Sequence, residues 1–339
     1  MHHRNFFIGV LATVAMTGVP ATISVAAQGQ KAAAKAYAAP RTPEGQPDLQ
    51  GVWSFSTITP LERPAEFAGR EFLTDEEIAE RQKRAEIAAT DEARSEDKNR
   101  DVGAAYNDFW WDRGTKVVAT KRTSLVIDPP DGRIPPLTPE AQAREAARAE
   151  RVRRQWGPED FDLNDRCIVG FNSGPPIIPD AYNNNIQIFQ SRDHVVIVNE
   201  MVHSARIVPL DGRPHLGGAI RQWVGDSRGR WDGSTLVVDT TNFSAQGRGL
   251  MGGFRGSGDE NMHLVERFTR VDPGILLYEF TVEDPTTYTK PWKVSLPMVI
   301  SKDRIYEYAC HEGNYSLANM LSAARAQEKT QPETPGAAK

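Results

Sequence analysis

The chain has 339 residues, of which 39% are apolar and 25% are charged, and its mean hydropathy is −0.50. This composition excludes a polytopic membrane protein, and its 28 aromatic residues (13 Phe, 8 Tyr and 7 Trp) exclude a disordered chain. The 40 basic and 45 acidic residues give a formal net charge of −5. Because nucleic-acid binding needs a basic excess, we expect no nucleic-acid partner.

The N-terminus has the pattern of a secretory signal peptide. The basic start His2–Arg4 precedes the apolar run Phe6–Met16, and small residues follow at Ser24–Ala27. The run is too short to span a bilayer, which needs roughly twenty apolar residues. We therefore predict a cleavable signal peptide over residues 1–27, a periplasmic or secreted location, and no integral membrane insertion after cleavage. The alternative is an uncleaved N-terminal anchor.

Two cysteines, Cys167 and Cys310, lie 143 residues apart. In an oxidising compartment such a pair predicts a disulfide bond, and closing so long a loop stabilises the fold by roughly 4–5 kcal/mol in the chain-entropy model. The alternative is two buried free thiols.

The first part of the chain mixes helix and strand. A flexible leader is expected over residues 28–46 and a mixed region over 47–160, with short strands at Val52–Ser56 and Leu125–Asp128. Thr74 opens a capping box and a helix to about Glu96, and Thr138 caps a second helix to about Gln155. Both helices carry few large apolar residues, so we expect them on the surface.

Strand patterns dominate the second part, residues 161–322, before a disordered tail expected over residues 323–339. From Asn183 onward, nine runs rich in Val, Ile, Tyr and Phe are separated by turn signals: NNIQIFQ, HVVIVNEMVH, ARIVPL, AIRQWVG, STLVVDTTNF, MHLVERFTRV, ILLYEFTVE, WKVSLPMVI and RIYEYACH. This series predicts a mainly β fold, an antiparallel up-and-down β-barrel with N-terminal surface helices. The alternative is a two-layer sandwich.

Several of these strands mix apolar and ionisable residues on one face. In MHLVERFTR, for example, Glu266 alternates onto the same face as Leu264 and Phe268. A buried unpaired charge costs several kcal/mol, so this mixture predicts a barrel that lines a polar pocket.

The segment Tyr306–Tyr315 is the densest in chemically capable side chains. His311 is the candidate proton-transfer residue, because histidine titrates near neutrality and Glu200 or Glu312 would fix its tautomer. Tyr308 or Tyr306 is the candidate partner acid, and His203 completes the candidate catalytic set. The alternative role for His311 is to cap the rim of the barrel.

A second dense segment, Phe171–Asn185, ends in three consecutive asparagines. Asn183, Asn184 and Asn185 are expected to present amides to a substrate; the alternative is a turn that bonds its own backbone. The remaining candidate substrate-binding residues are Tyr182, Arg221, Trp223 and His263.

The sequence predicts no metal and no organic cofactor. The HExxH pattern does not occur, and His215 has no evident partner. A cross-strand metal site from His203, His263 or His311 with Glu200 is the alternative. Gly225–Gly233 is interpreted as a hairpin, and the glycine-rich stretch Gly247–Gly258 as either a lid or a connection.

The motifs PDLQGVWS, RTSLVIDPPDGRIPPLTPEAQ, GFNSGPP, DSRGRWDGSTLVVDTTNF, ERFTRVDP and YEYACHEGNY resemble those of a large, mostly uncharacterised family of exported bacterial proteins. The resemblance covers roughly Pro47–Tyr315 and implies no particular activity. At the fold level, Gly51-Val52-Trp53 before a late strand series resembles the lipocalin-like (calycin) barrels, which implies a barrel with a pocket.

Together these patterns favour an exported β-barrel enzyme that performs acid/base catalysis, as a lyase, isomerase or hydrolase, on a small aromatic or sugar-like molecule. The alternative is a non-catalytic periplasmic binding protein for a lipophilic or haem-like ligand. In both cases the partner is a small molecule, and the sequence predicts no oligomeric state.

Overall fold

The computed structural model describes residues 37–90, 97, 99, 112–154, 157–244 and 260–330. The predicted signal peptide and the Gly247–Gly258 stretch lie outside these residues. The strands are β1 Gly51–Ser54, β2 Val126–Asp128, β3 Asn185–Gln190, β4 His194–Asn199, β5 Ala205–Pro209, β6 Asp226–Asp232, β7 Thr235–Thr241, β8 His263–Asp272, β9 Ile275–Glu283 and β10 Trp292–Ser301. The helices are α1 Asp75–Ala88, α2 Pro139–Arg154 and α3 Tyr315–Thr330.

All ten strands belong to one antiparallel sheet in the order β5-β4-β3-β1-β10-β9-β8-β7-β6, with β2 also paired to β10. The prediction of a mainly β, antiparallel fold is confirmed. The first strand, β1, lies in the middle of the order, where Val52 pairs with Gln187 on β3 and with Ser301 on β10.

The prediction of a closed barrel is wrong, because no ladder joins the edge strands β5 and β6 in the part of the chain that is described. An antiparallel path of nine strands has an odd number of members, so its first and last strands run in the same direction and cannot pair as an up-and-down barrel does. The edges nevertheless touch. A Cβ atom added at Gly229 on β6 would lie 2.8 Å from Val208 and 2.6 Å from Leu210.

The inner face of the sheet is filled by side chains. Its fully buried members include Trp53, Phe268, Phe280 and Trp292, packed with aliphatic residues of β3, β4, β7, β8 and β10. Glu266 also lies on this face, where its charge suggested a polar pocket, but it is paired with the buried side chain of Arg206. Among the described residues, the space inside the sheet is therefore a packed core rather than a ligand pocket.

A buried ion pair crosses this core from β5 to β8. Arg206 is 7% exposed and Glu266 is 0% exposed. The two guanidinium Nη groups each donate to one carboxylate oxygen of Glu266, with Nη2 to Oε1 at 2.9 Å. The Tyr278 hydroxyl donates to Glu266 Oε1 at 2.8 Å and accepts from the N–H of Ile177 at 3.0 Å. Burial and the Glu266 charge raise the pKa of Tyr278 well above its ordinary value.

The two predicted helices, α1 and α2, form and lie on the surface. Thr74 and Glu77 form a reciprocal capping box at the start of α1, which buries no residue and ends at Ala88 rather than near residue 96. The Thr138 hydroxyl accepts from the N–H of Ala141 at the start of α2. Residues 323–330, assigned from the sequence to a disordered tail, form the second half of α3.

Two of the strands predicted from the sequence do not form in the described part of the chain. Residues 219–225 and 304–311 are turns and irregular chain, and β4 ends at Asn199, before the segment that carries His203. Met201–His203 instead forms a single 3₁₀ turn in which Val202 and His203 have positive φ.

The two ends of the sheet differ. Short turns at residues 191–193, 233–234 and 273–274 connect the strands at one end. The ends of β7 and β9, the connection over residues 284–291, and the starts of β3, β6 and β8 lie at the opposite end, which we call the loop end. Mouths of β structures are common ligand sites, so a functional site is expected at the loop end.

Candidate functional site

Five titratable side chains form a continuous chain of contacts on the outer face of the sheet at the loop end. Asp226 Oδ2 lies 3.1 Å from His215 Nδ1, and His215 Nε2 lies 2.9 Å from Asp239 Oδ1. Asp239 Oδ2 lies 2.9 Å from His263 Nε2, and His263 Nδ1 lies 3.3 Å from Glu283 Oε2. We call this set the histidine–carboxylate chain.

Strand register brings four of its members together. His263 at the start of β8 lies directly opposite Glu283 at the end of β9. Asp239 on β7 pairs with Val265, two residues along β8 from His263, so both side chains point to the same outer face. Asp226 begins β6, the next strand, and His215 arrives from the connection between β5 and β6.

The end of the chain at Asp226 is firmly held. Asp226 Oδ1 accepts from Arg228 Nη1 at 2.6 Å, and its Oδ2 accepts from the N–H of Leu216 at 2.9 Å. Arg228 Nε also donates to the Pro214 carbonyl at 3.0 Å. These bonds fix the backbone on both sides of His215 and therefore the position of its ring.

Exposure is lowest at the Asp226 end of the histidine–carboxylate chain and highest at the Glu283 end. The side chain of Asp226 is 5% exposed, His215 27%, His263 36%, Asp239 41% and Glu283 51%. Asp226 thus anchors the chain, while Glu283 is reachable from solvent and makes the longest of the four contacts. A polar group approaching from solvent replaces Glu283 more easily than it replaces any other member.

The electrostatics favour a charged imidazole at His263. Partial burial lowers its pKa, but the hydrogen bonds and negative charges of Asp239 and Glu283 outweigh this effect, so the pKa is raised above the ordinary value of 6.5. With Nε2 held by Asp239, Nδ1 is the nitrogen that exchanges a proton with solvent or with a bound molecule. This is the arrangement that general acid/base catalysis requires.

Within the described ranges, no group of three or more His, Cys, Asp or Glu side chains is arranged to hold a metal ion. Nor does any described helix have the length and apolar character that would let it cross a membrane.

A cleft of about 430 Å³ also opens at the loop end. It is lined by Thr57, Ile58, Thr59, Pro60, Leu61, Arg113, Leu125, Ile178, Pro179 and Asp180. Burial raises the pKa of Asp180 above 3.8, and the N–H of Ala181 and the charge of Arg113 offset part of this rise.

The candidate residues predicted around His311 are not brought into one catalytic cluster. Glu200 is buried, and its carboxylate accepts from Asn185 Nδ2 at 2.7 Å and from the N–H of Tyr306 at 3.0 Å. His311 and Glu312 are exposed, and no hydrogen bond to the His311 ring occurs among the described residues. Glu200 therefore fastens the C-terminal segment to β3 rather than orienting His311.

The predicted disulfide between Cys167 and Cys310 is confirmed, with a Cα–Cα distance of 5.6 Å. It brings the 171–185 segment against the C-terminal segment, where the rings of Tyr182 and Tyr308 stack with centroids 6.2 Å apart. Tyr308 and Asp165 line a second cleft of about 300 Å³ beside the disulfide. Burial and the charge of Asp162 raise the pKa of Asp165.

The asparagine triplet makes its hydrogen bonds to neighbouring segments of the protein. Asn184 is fully buried; its Oδ1 accepts from the N–H of Asp180, and its Nδ2 donates to the carbonyls of Asp180 and Asp112. Asn183 has a positive φ of 53°. The triplet therefore shapes the wall of the 430 Å³ cleft through Asp180.

The other candidates lie apart from one another. His203 is exposed. Arg221 donates to the carbonyls of Phe243 and Glu260, and Trp223 packs against the core. Of the candidate substrate-binding residues, only His263 belongs to the histidine–carboxylate chain.

No family model matches this chain, and neither the curated proteins nor the solved structures contain a detectable relative. The site must therefore be interpreted from its own chemistry. Its members Asp226, His215, Asp239 and Glu283 were not among the residues predicted from the sequence, because each comes from a different element. The available signal was the hairpin register, which places His263 opposite a carboxylate.

Proposed function

We propose that the protein is an enzyme that performs acid/base catalysis on a small molecule, with His263 as the proton-transfer residue. The observation that carries the proposal is the His263 ring held between Asp239 and Glu283 at the loop end, half-buried and with a raised pKa. Lyase, isomerase and hydrolase reactions all use this proton transfer.

Each member of the histidine–carboxylate chain has a separate role in the proposed catalysis. Asp239 accepts the Nε2–H of His263 and thereby fixes its tautomer and ring orientation. His215 holds the other oxygen of Asp239, so Asp239 cannot rotate without breaking both bonds. A substrate oxygen replaces Glu283 at His263 Nδ1, receives the proton from the imidazolium, and leaves a neutral ring whose Nδ1 accepts a proton in the reverse step.

Export of this enzyme is part of the proposal. The N-terminal pattern predicts a signal peptide, and the Cys167–Cys310 disulfide is of the kind that forms in oxidising compartments. The packed interior of the sheet favours catalysis over the carriage of a lipophilic or haem-like ligand, because such a ligand needs an enclosed apolar space.

The proposal is tested by isotope incorporation, which works even when the substrate has not been identified. The purified protein is incubated with a small-molecule extract in D₂O and, separately, in H₂¹⁸O, and the metabolites are compared by mass spectrometry. Proton abstraction followed by reprotonation, as in an isomerisation or a reversible elimination, introduces deuterium, and hydrolysis introduces ¹⁸O. We expect His263→Gln to slow the labelling about a hundredfold or more.

The matched control is His194→Gln. His194 is also a half-exposed outer-face histidine, at the start of β4, and its hydrogen bonds are made by its backbone. We expect this variant to label metabolites at the wild-type rate. Equal labelling by wild type and His263→Gln, or no labelling that depends on the protein, would refute the proposal.

A further inference from the structure

The part of the chain that follows β10 lies on the outside of the molecule. We call residues 302–330 the C-terminal arm; the structure describes all of them, and Ala324 alone among them is buried. Tyr306 and Tyr315 are 73% and 75% exposed. Because the burial of apolar surface is the main force that holds an element in a fold, the arm is held to the rest of the protein only weakly by packing.

The Cys167–Cys310 disulfide is the firmest attachment of the arm, because it is covalent. The non-covalent contacts with the rest of the protein include the Tyr306 N–H to Glu200 at 3.0 Å, Asn314 Nδ2 to the Asp165 carbonyl at 2.8 Å, and the stacked rings of Tyr308 and Tyr182. A hydrogen bond near the surface adds little net stability, since water replaces it when it breaks. Without the disulfide, these contacts would have to hold the arm by themselves.

Solvent reaches the disulfide through the cleft of about 300 Å³, which both cysteines line. Cys310 is partly exposed, whereas Cys167 is 3% exposed, so Cys310 offers the more accessible sulfur to an attacking thiolate. Asn314 Nδ2 donates to Cys167 Sγ at 3.4 Å. This hydrogen bond stabilises the negative charge that develops on Cys167 when it is the leaving group, and a better leaving group makes thiol–disulfide exchange faster.

We propose that the Cys167–Cys310 disulfide is a redox-sensitive switch, whose reduction by a dithiol releases the C-terminal arm while the sheet stays folded. The sheet does not need the arm, because every member of its hydrophobic core precedes residue 302. This switch is separate from the histidine–carboxylate chain and does not depend on the catalysis proposed for His263.

The exchange takes place in two steps. One thiolate of the dithiol attacks Cys310 Sγ and forms a mixed disulfide, and the bond to Cys167 breaks so that Cys167 leaves as a thiolate. The second thiolate of the dithiol then attacks the reagent's own sulfur in the mixed disulfide, which releases Cys310 as a thiolate and closes a cyclic disulfide. The dithiol loses two electrons, the protein disulfide gains them, and the two protons of the dithiol pass through solvent to the two cysteines.

The test compares the full chain before and after reduction by dithiothreitol under native conditions, with backbone ¹⁵N relaxation as the readout. We expect the order parameters of the amides from Tyr306 to Leu317 to fall from about 0.85 to below about 0.6, and the amide shifts of β8 and β9 to stay unchanged. An arm that stays rigid after both thiols are released, loss of the β8 and β9 signals together with those of the arm, or a disulfide that is reduced only in denaturant would overturn the proposal.

Two variants separate the disulfide from the other attachments. Cys167→Ala/Cys310→Ala should have a mobile arm without reductant, and dithiothreitol should not change it. Asn314→Ser is the matched control: it removes the amide donor but keeps the disulfide and a side-chain oxygen that can accept from the Leu317 N–H, so its oxidised arm should stay rigid. A rigid arm in the double variant, or a mobile arm in oxidised Asn314→Ser, would show that the disulfide does not control the arm.

A monothiol identifies the sulfur that is attacked. Brief treatment of the wild-type chain with 2-mercaptoethanol, followed by excess N-ethylmaleimide and peptide mass spectrometry, should place the mercaptoethanol adduct on Cys310 and the maleimide on Cys167. The reverse distribution would overturn the assignment of Cys310 as the attacked residue.

Discussion

Replacing Glu266 with methionine leaves the guanidinium of Arg206 buried in the core of the sheet without a counter-ion. Arg206 loses both of its N–H···O bonds to the carboxylate, and the Tyr278 hydroxyl loses its acceptor. Breaking a buried pair by removing one partner costs about 3–5 kcal/mol, whereas replacing both partners with apolar side chains of similar volume is often neutral. We therefore expect Glu266→Met and Arg206→Met each to lower the free energy of unfolding by about 3–5 kcal/mol.

The double variant Arg206→Met/Glu266→Met should lose much less unfolding free energy than either single variant. The charges are gone, and the main remaining cost is the Tyr278 hydroxyl, which keeps its bond from Ile177 but lacks an acceptor, at about 1–3 kcal/mol. Urea unfolding followed by the fluorescence of the buried Trp53 and Trp292, with the disulfide intact, measures all three values. Single variants that cost less than about 1 kcal/mol, or a double variant that costs the sum of the two, would refute the reasoning.

Three further predictions concern other parts of the molecule. Because the pKa of His263 is raised above 6.5 in the folded state, its stabilising contribution is complete below pH 6.5 and is lost as the pH rises through the folded-state pKa. The difference in unfolding free energy between wild type and His263→Gln, which is below about 1 kcal/mol because the ring is partly exposed, should therefore shrink between pH 6 and pH 9. A difference that stays constant over this pH range would contradict the prediction. Gly229→Ala should lower the free energy of unfolding in urea by about 1–3 kcal/mol, because the added Cβ enters the contact between the edge strands. Gly274→Ala is the control and should be close to neutral, since its Cβ would lie 3.5 Å from the nearest atom. Equal losses in the two variants would contradict the contact between the edge strands. The Cys167→Ser/Cys310→Ser variant should lose up to about 5 kcal/mol of unfolding free energy. A loss below about 1 kcal/mol would mean that the disulfide adds little to the stability of the fold.

Local signals in the sequence predicted local structure well. The capping box at Thr74 and the turn signal between the runs MHLVERFTRV and ILLYEFTVE each act within a few residues, and both form as expected. The strand predictions failed at residues 219–225 and 304–311, although both segments are rich in β-forming residues. A strand forms only where a neighbouring strand offers an unpaired edge, and strand propensity contains no information about that edge.

The candidate site was only partly predictable for a related reason. His263 and Glu283 face each other because one tight turn sets the register of β8 and β9, and that pairing can be derived from the sequence. His215 and Asp226 meet through the connection that crosses from β5 to β6, whose path depends on the tertiary fold. The interior position of Glu266 on β8 was inferred correctly from alternation, but its partner Arg206 lies on β5, at the far edge of the sheet.

The central position of β1 has a consequence for how the chain matures. One group of strands, β3 to β5, joins the other group, β6 to β10, through this four-residue segment, and Val52 meets Ser301 almost 250 residues later. Pairings between such distant residues form slowly, because a long stretch of chain must first be ordered. Nearly the whole polypeptide must therefore be synthesised before the two groups of strands can pair. A product that ends before β10 would leave strand edges unpaired and accessible to chaperones and proteases.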